Sequence, residues 1–541
     1  MSSVRVRFDP AGVEVDVESG TSLHEAAAIA GVLLEAPCGG LARCGGCRVI
    51  ASGGLSRVKP EESEVLGPRA LADGWRLACR ARALGPEPVE VDRRVASDSA
   101  IRIVEQGLAG PVTIQKPADR GLRCSGAPVT LGAVVDLGTT TIVTALVDLE
   151  TGHELASASA LNPQVASGHD VLSRVSRALD GHADELRRAA GDEIERLLLG
   201  LVEASGAEPS HVCEIVIVGN TVMVHLLLGL DVAPFAGAPY QGASLEARTM
   251  SVRDAGLKTF AETQLYVPPA VSAFVGADIT AGLVATSIAS RTDPTLFIDL
   301  GTNGEIALRA AGGVLACSTA AGPALEGMSI ERGMRAERGA VERVEMSGSS
   351  LIIGTVGGAP PRGICGSGLL DLVAVLVERG LVDHSGRMAP LAGEALSRRF
   401  REVEEVRRFV LDADADVYLS QKDVRQLQLA KGAVAAGIEV LLEAAGVGAA
   451  DVAEVVIAGG FGLHVRPQSL VALGLVPPVW RDRITFAGNA AKAGGLLMLL
   501  DGARRTEAET LAGRVRTVPL ATRPDFQDRF VRNLAFPTPT A

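Results

Sequence analysis

Aromatic side chains are scarce in this sequence. Two Trp, three Tyr and twelve Phe make up 3% of its 541 residues, although hydrophobic residues reach 47%, so the cores must be built from Ala, Val, Leu and Ile. No Lys/Arg-rich block is present and the formal charge is -12. That argues against a nucleic-acid partner, because affinity for a phosphate backbone needs a concentrated cationic surface. A long apolar run is missing too. The nearest approach, Leu265 to Ser290, is interrupted by Pro268, Pro269 and Asp278 and reads as a buried core helix rather than a membrane span. The first ten residues alternate like a strand and lack the apolar centre of a secretory signal, so a cytoplasmic protein is expected. In a reducing compartment the eight cysteines are not read as disulfides. Cys124, Cys213, Cys317 and Cys365 are scattered among apolar or Gly-rich neighbours and read as small buried thiols.

What is present begins with a cluster of the other four cysteines. Val4 to Val17 forms two alternating runs around Pro-Ala-Gly, a hairpin pattern. A helix is predicted from the S-x-x-E capping box Ser22-Leu23-His24-Glu25. Then comes Cys38-Gly-Gly-Leu-Ala-Arg-Cys44-Gly-Gly-Cys47, a strand from Arg48 to Ser52, and a lone fourth cysteine in Trp75-Arg-Leu-Ala-Cys79. The spacing C-x5-C-x2-C-x31-C is one residue longer in its first gap than the plant-type iron-sulfur pattern. Cluster sulfides accept hydrogen bonds from backbone amides, and glycines let the loop wrap with its N-H groups inward. A closed zinc site also takes four thiolates, but commonly from two short C-x2-C knuckles. Three cysteines on one wrapped loop with a distant fourth favour a 2Fe-2S cluster on Cys38, Cys44, Cys47 and Cys79. The order of elements resembles the β-grasp ferredoxins, with the first gap of the adrenodoxin-like subgroup, and implies one-electron transfer over residues 1–93. Residues 94–129, punctuated by Gly and Pro, read as a linker.

Beyond it the sequence repeats. Ala133-Val-Val-Asp136-Leu-Gly138-Thr139-Thr140-Thr141 and Leu296-Phe-Ile-Asp299-Leu-Gly301-Thr302-Asn303-Gly304 each read as strand, tight turn and second strand. Each is followed by a helical run, from Ile194 and from Ile438, leading to a strand that ends in glycine, at Gly219 and at Gly459-Gly460. Four matches in alternating order mean a duplicated α/β lobe. A Gly-Thr turn offers N-H groups and hydroxyls to phosphate oxygens, and the Asp before it can hold a hydrated Mg²⁺. Two such tips face to face would clamp a nucleotide.

This pattern resembles the acetate kinase, sugar kinase, Hsp70 and actin (ASKHA) superfamily, whose RNase-H-like lobes are duplicated in the same way. The resemblance carries the first phosphate motif onto Asp136, Gly138, Thr139 and Thr140, and the second onto Asp299, Gly301, Thr302, Asn303 and Gly304. The adenosine motif falls on Gly459, Gly460 and Phe461, although Phe461-Gly462 replaces the Ser or Thr common after the glycine pair. The expected organisation is a ferredoxin domain (1–93), a linker (94–129), the first part of lobe I (130–210) and a large C-terminal ASKHA domain (211–541). The class is α+β followed by α/β.

A 2Fe-2S domain ahead of an ASKHA unit resembles the ATP-dependent reductive activators of corrinoid proteins. Asn162-Pro163-Gln164, Val275-Gly276-Ala277-Asp278, Ala321-Gly-Pro-Ala-Leu-Glu-Gly327, Gly363-Ile-Cys-Gly-Ser-Gly368 and Ala430-Lys431 also fit that family's pattern. The resemblance implies ATP with Mg²⁺ as cofactor, a corrinoid-binding protein of a methyltransferase system as partner, and a low-potential electron donor. It leaves the oligomeric state open, a homodimer included. The task this resemblance implies is to return Co(II) to Co(I). A plant-type cluster lies near about -400 mV, and a cobalt couple lower by about 200 mV opposes transfer by roughly 4.6 kcal/mol, at about 59 mV per tenfold. The chain itself is not expected to bind cobalamin, since Asp180-Gly-His182-Ala-Asp-Glu185 ends in Glu where the base-off motif has Gly, and reads as helical surface. The helix from Asp423 to Leu442, capped by Ser420, is expected to pack behind the nucleotide, with Lys431 on it within reach of a phosphate as one option. Two alternatives stand beside this reading. One is an activator of 2-hydroxyacyl-CoA dehydratases, which holds a 4Fe-4S cluster between subunits. The other is an ATP-binding electron carrier or redox sensor that does not hydrolyse.

Overall fold

The computed structural model describes residues 3–9, 13–30, 42, 47–72, 74–85, 87–92, 130–168, 170–260, 263–459 and 465–538. They fall into two compact units, one built on residues 3–92 and the other almost wholly on 130–538. Cys38, Cys44, the linker and Gly460-Phe461 lie outside the described residues.

In the first unit β1 (Ser3–Asp9) pairs antiparallel with β2 (Val13–Glu18), Val4 opposite Val17 and Val6 opposite Val15. Val4, Val6 and Phe8 alternate inward at the strand period of two. The capping box forms as expected: Glu25 N-H donates to Ser22 Oγ (3.2 Å) and Ser22 N-H to Glu25 Oε2 (3.0 Å), starting the helix Leu23–Ile29. β3 (Arg48–Gly53), the helix Pro60–Ala72, β4 (Trp75–Leu77) and β5 (Val89–Asp92) follow. They complete a sheet of order β2-β1-β5-β3-β4, with β5 parallel to β1. This is the mixed five-stranded sheet of a β-grasp domain. Glu62, fully buried, fastens the helix to β4: its carboxylate accepts both Arg76 Nε and Nη2 (3.0 Å each), Leu77 N-H (3.1 Å) and Lys59 N-H (3.0 Å).

The second unit is duplicated. β6 (Leu131–Leu137), β7 (Thr141–Asp148), β8 (Glu154–Leu161), β9 (Val212–Gly219), β10 (Arg248–Ser251) and β11 (Gln264–Val267) form one sheet, ordered β10-β11-β9-β6-β7-β8. The first lobe therefore draws on residues to both sides of position 210. β12 (Thr295–Leu300), β13 (Gly304–Ala310) and β14 (Gly313–Thr319) open the second lobe. Two small sheets are inserted next, β15 (Ala340–Ser347) with β16 (Ser350–Thr355) and β17 (Gly363–Ile364), then β18 (Phe400–Val403) with β19 (Val406–Asp412) and β20 (Val417–Ser420). β21 (Glu454–Ala458), β22 (Ile484–Gly488) and β23 (Arg516–Thr517) complete a sheet ordered β22-β21-β12-β13-β14-β23.

The internal symmetry extends to register. β9 runs parallel to β6 with Val218 beside Asp136, and β21 parallel to β12 with Ala458 beside Asp299. The connecting helices are longer than the sequence pattern gave, Ala183–Ala204 and Gln421–Ala445, the latter capped by Ser420 with Asp423. Between Leu265 and Ser290 the chain forms β11 and the helix Ala277–Ala285, so the expected single helix is part strand; all but one of that helix's residues are buried. That helix crosses the helix Ala490–Leu500 so closely that a Cβ at Gly494 would lie 2.0 Å from the Ala281 carbonyl oxygen. Cys317 and Cys365 are buried thiols. Cys213, also buried, is disulfide-bonded, which corrects its reading as an isolated thiol; compartment arguments alone do not decide single pairs. Among the described residues no helix is long and apolar enough to cross a membrane.

Candidate functional site

In the first unit, Cys47 stands at the entry to β3 and Cys79 follows β4. Ala78 N-H donates to the Cys47 carbonyl (2.8 Å), and His24 N-H to the Ala78 carbonyl (3.0 Å), so sheet and helix fix both cysteine backbones. The two sulfurs lie 3.2 Å apart, far beyond the roughly 2.05 Å of a disulfide. They face one another as two ligands of one metal centre would, and fit an iron-sulfur group.

In the second unit the two Asp-x-Gly-Thr turns meet. Asp136, Gly138, Thr139, Thr140, Asp299, Gly301, Thr302, Asn303 and Gly459 all line one cleft of about 150 Å³. Gly304 stands behind it at the root of β13, paired with Thr319. The turns are tied by backbone bonds, Gly138 N-H to Thr141 O and Gly301 N-H to Asn303 O, each 3.0 Å. The hydroxyls of Thr140 and Thr302, one from each lobe, hydrogen-bond each other, and Thr302 donates on to Glu326 (2.7 Å). Asn162 holds the first turn from outside, its Nδ2 donating to Gly138 O (2.9 Å) and its N-H to Thr140 O (2.8 Å). Gly459 closes the second lobe's side with φ +113, and a Cβ there would lie 2.4 Å from Leu300 O, so only glycine fits.

Three acidic residues without a role in the sequence reading also reach the cleft: Asp278, Glu305 and Glu326. Their only signal was membership of stretches that fit a family pattern, or, for Glu305, the end of the second turn. Asn489, which had no signal, caps the helix Ala490–Leu500 and donates to Asp136 Oδ2 (2.8 Å). Burial raises Asp136 to about 6, opposed by Asn489 and the Lys492 charge. Burial and then the charges of Asp278, Asp136 and Glu326 push Asp299 up to about 8. Asp278 is raised to about 7 by burial and by Asp136, and Glu305 is raised by burial, Asp278 and Asp299. So much recessed negative charge is complementary to a cation. Among the described residues no three His, Cys, Asp or Glu side chains form a ready ligand set.

Lys431 is not in this cleft. It is buried, its Nζ donates to the Ala535 carbonyl (2.5 Å), and it lies over Phe536, so it fastens the C-terminal segment instead of reaching toward a phosphate. His182 and Glu185 sit on the exposed start of the helix Ala183–Ala204, bonded to each other (2.9 Å), as expected of helical surface.

Fold and cleft together define a ferredoxin joined to a two-lobe ASKHA unit. The chain matches the families described as the 2Fe-2S iron-sulfur cluster binding domain (residues 6–84), the RACo middle region (131–291) and the C-terminal ASKHA domain of RACo (293–541). It is 32% identical over 419 residues to the corrinoid activation enzyme RamQ of Eubacterium limosum, covering 75% of this chain and 70% of that one. It is 24% identical to the Co(II) methylated amine-specific corrinoid protein reductase of Methanosarcina barkeri, covering 75% and 77%. A solved reductive activator for corrinoid, iron-sulfur protein superposes with TM-score 0.72 at 28% identity, covering 99% and 98%. The chain belongs to the corrinoid activation enzyme family.

Proposed function

We propose that this protein is an ATP-dependent reductive activator that returns Co(II) to Co(I) on a corrinoid-binding protein of a methyltransferase system, one electron at a time. The observation that carries the reading is the meeting of two phosphate turns, one per lobe, in a chain that also presents paired cluster cysteines. In this reading Cys38, Cys44, Cys47 and Cys79 hold the 2Fe-2S cluster, which supplies one-electron chemistry. Gly138, Thr139, Thr140, Gly301, Thr302 and Asn303 offer N-H groups and hydroxyls to the phosphates of ATP, Asp136 and Asp299 orient hydrated Mg²⁺, and Gly459, Gly460 and Phe461 border the adenosine. Because Thr140 and Thr302 belong to different lobes, a phosphate taken up between them changes how the lobes meet. That coupling lets nucleotide binding alter partner recognition, the only way it can offset an uphill electron transfer. A low-potential donor in the cytoplasm replenishes the electron.

The test is Co(I) formation on a Co(II) corrinoid partner, followed by visible absorbance with dithionite as reductant. The Asp136→Ala, Asp299→Ala double variant should lose ATP-dependent Co(I) formation while its own cluster is still bleached by dithionite. Co(I) formation at the parent rate by that variant, or by the parent without nucleotide, refutes the reading. A 2Fe-2S visible spectrum of the purified protein would also separate it from a dehydratase activator, whose cluster is 4Fe-4S.

A further inference from the structure

Glu326 is the cleft carboxylate whose hydrogen bonds run to the phosphate-turn hydroxyls themselves. Thr140 bonds Thr302, and Thr302 donates to Glu326 Oε2 (2.7 Å), a relay that starts in one lobe and ends on this side chain. Asp136, Asp278 and Glu305 are held differently. Asp136 accepts from Asn489 (2.8 Å), Asp278 from its own neighbour Ile279 N-H (2.8 Å), and Glu305 from Ser318 (3.2 Å). Those bonds need not break when a phosphate arrives. The bond to Glu326 must, because the Thr302 hydroxyl is among the donors a phosphate oxygen takes over. A carboxylate oxygen is then left beside the phosphates with an open acceptor site.

The backbone around Glu326 is built to hold it there. It ends the short helical turn Pro323–Glu326, bracketed by Gly322 and Gly327 at φ +76 and +75. A Cβ at Gly327 would lie 2.2 Å from Met334 O, and one at Gly366 would lie 1.8 Å from Leu325 O. Gly366 starts the helix Gly366–Glu378, all but the last of whose residues are buried. The stretches Ala321–Gly327 and Gly363–Gly368 thus interlock through glycines that admit backbone against backbone. Such close packing is how a catalytic side chain is kept in one position.

We infer that Glu326 is the general base of ATP hydrolysis, accepting the proton of the attacking water once the phosphates have taken the Thr302 hydroxyl; the inference rests on the proposed function. The water oxygen bonds to the γ-phosphorus, and the bond from that phosphorus to the bridging oxygen breaks with its electron pair leaving on ADP. The water proton moves to Glu326, and inorganic phosphate is the second product. Burial, which raises the Glu326 carboxyl against the Thr302 and Thr140 hydrogen bonds, also makes it a better proton acceptor than an exposed carboxylate.

The experiment uses the full-length protein with its cluster and compares the parent with Glu326→Gln, which keeps a carbonyl acceptor for Thr302 but cannot take a proton, and with Glu326→Asp. Turnover of MgATP is measured with and without the corrinoid partner, and calorimetry gives the affinity for the non-hydrolysed analogue AMPPNP with Mg²⁺. A general base contributes about 10²- to 10⁴-fold, so Glu326→Gln should slow turnover at least about 100-fold. AMPPNP should bind as tightly as to the parent or more tightly, because a negative charge facing the phosphates is gone. Glu326→Asp should recover part of the rate, with an acid limb in its pH profile that the Gln variant lacks. Turnover by Glu326→Gln within about fivefold of the parent overturns the inference, as does a loss matched by an equal loss of AMPPNP affinity. A parent that hydrolyses no ATP under either condition also overturns the inference, whereas the proposed function itself fails only if Co(I) formation does not depend on the nucleotide.

Discussion

Glu62 gives the sharpest test of how the cluster unit is held together. It is fully buried and accepts four hydrogen bonds, two of them from Arg76, whose side chain is 9% exposed. Glu62→Ala would leave a guanidinium buried without countercharge, and would orphan the amides of Lys59 and Leu77. Breaking one side of a buried pair costs about 3–5 kcal/mol, roughly three decades in the folding equilibrium at about 1.4 kcal/mol each. The assay is urea unfolding of the full-length protein under anaerobic conditions, read by the visible absorbance of the cluster, which reports on this unit alone. A double variant, Glu62→Leu with Arg76→Met, removes both charges but still orphans the two amides, so it should recover only the part of the loss that comes from the unpaired guanidinium. The pH dependence has a definite sign. Burial raises the Glu62 carboxyl, but the Arg76 hydrogen bonds and charge and the two backbone amides outweigh it and hold it below its ordinary 4.5. The native state therefore binds fewer protons than the unfolded one. The stabilisation is complete above about pH 4.5 and is lost as pH falls through the lowered value. A cost below about 1 kcal/mol for Glu62→Ala would refute the claim that this pair fastens the helix to β4.

Further outcomes follow from other residues. Cys47→Ser and Cys79→Ser should each abolish or strongly alter the visible and paramagnetic spectra of the cluster while leaving MgATP binding by the second unit within about twofold, checked by calorimetry. Lys431, lowered by burial to about 8 from 10.5, binds fewer protons when folded, so the thermal midpoint of the second unit should rise as pH increases from about 8 to 10.5. Lys431→Met should remove that rise.

How much of this was legible beforehand differs between the two centres. The cysteine and glycine pattern pointed to a 2Fe-2S domain because its signal is local: Cys38, Cys44 and Cys47 fall within ten residues. The capping box at Ser22 and the two strand-turn-strand repeats were equally local, fixed by backbone chemistry within a few positions. The duplication predicted that Asp136 and Asp299 would occupy matching places, and the parallel pairing of β6 with β9 and of β12 with β21 puts them there. Lys431 shows the limit. Its position on a helix behind the sheet left open which way it reached, and only the path of the C-terminal segment, bringing Ala535 over it, decided that.

The acids that complete the cleft lie 142, 169 and 190 positions from Asp136 for Asp278, Glu305 and Glu326 by their numbering. No periodicity connects residues so far apart; their convergence exists only once two sheets are packed and the helices Ala277–Ala285 and Ala490–Leu500 cross at Gly494. The same holds for the contact between Thr140 and Thr302, each a turn residue in its own lobe. By itself the sequence pointed to the four cysteines, the duplicated lobes and the two Asp-x-Gly-Thr turns, because each is written in neighbouring residues. The tertiary structure alone decided that the turns meet, that five carboxylates share one cleft, and that Glu326 touches the hydroxyl a phosphate would claim, because burial and proximity are properties of packing.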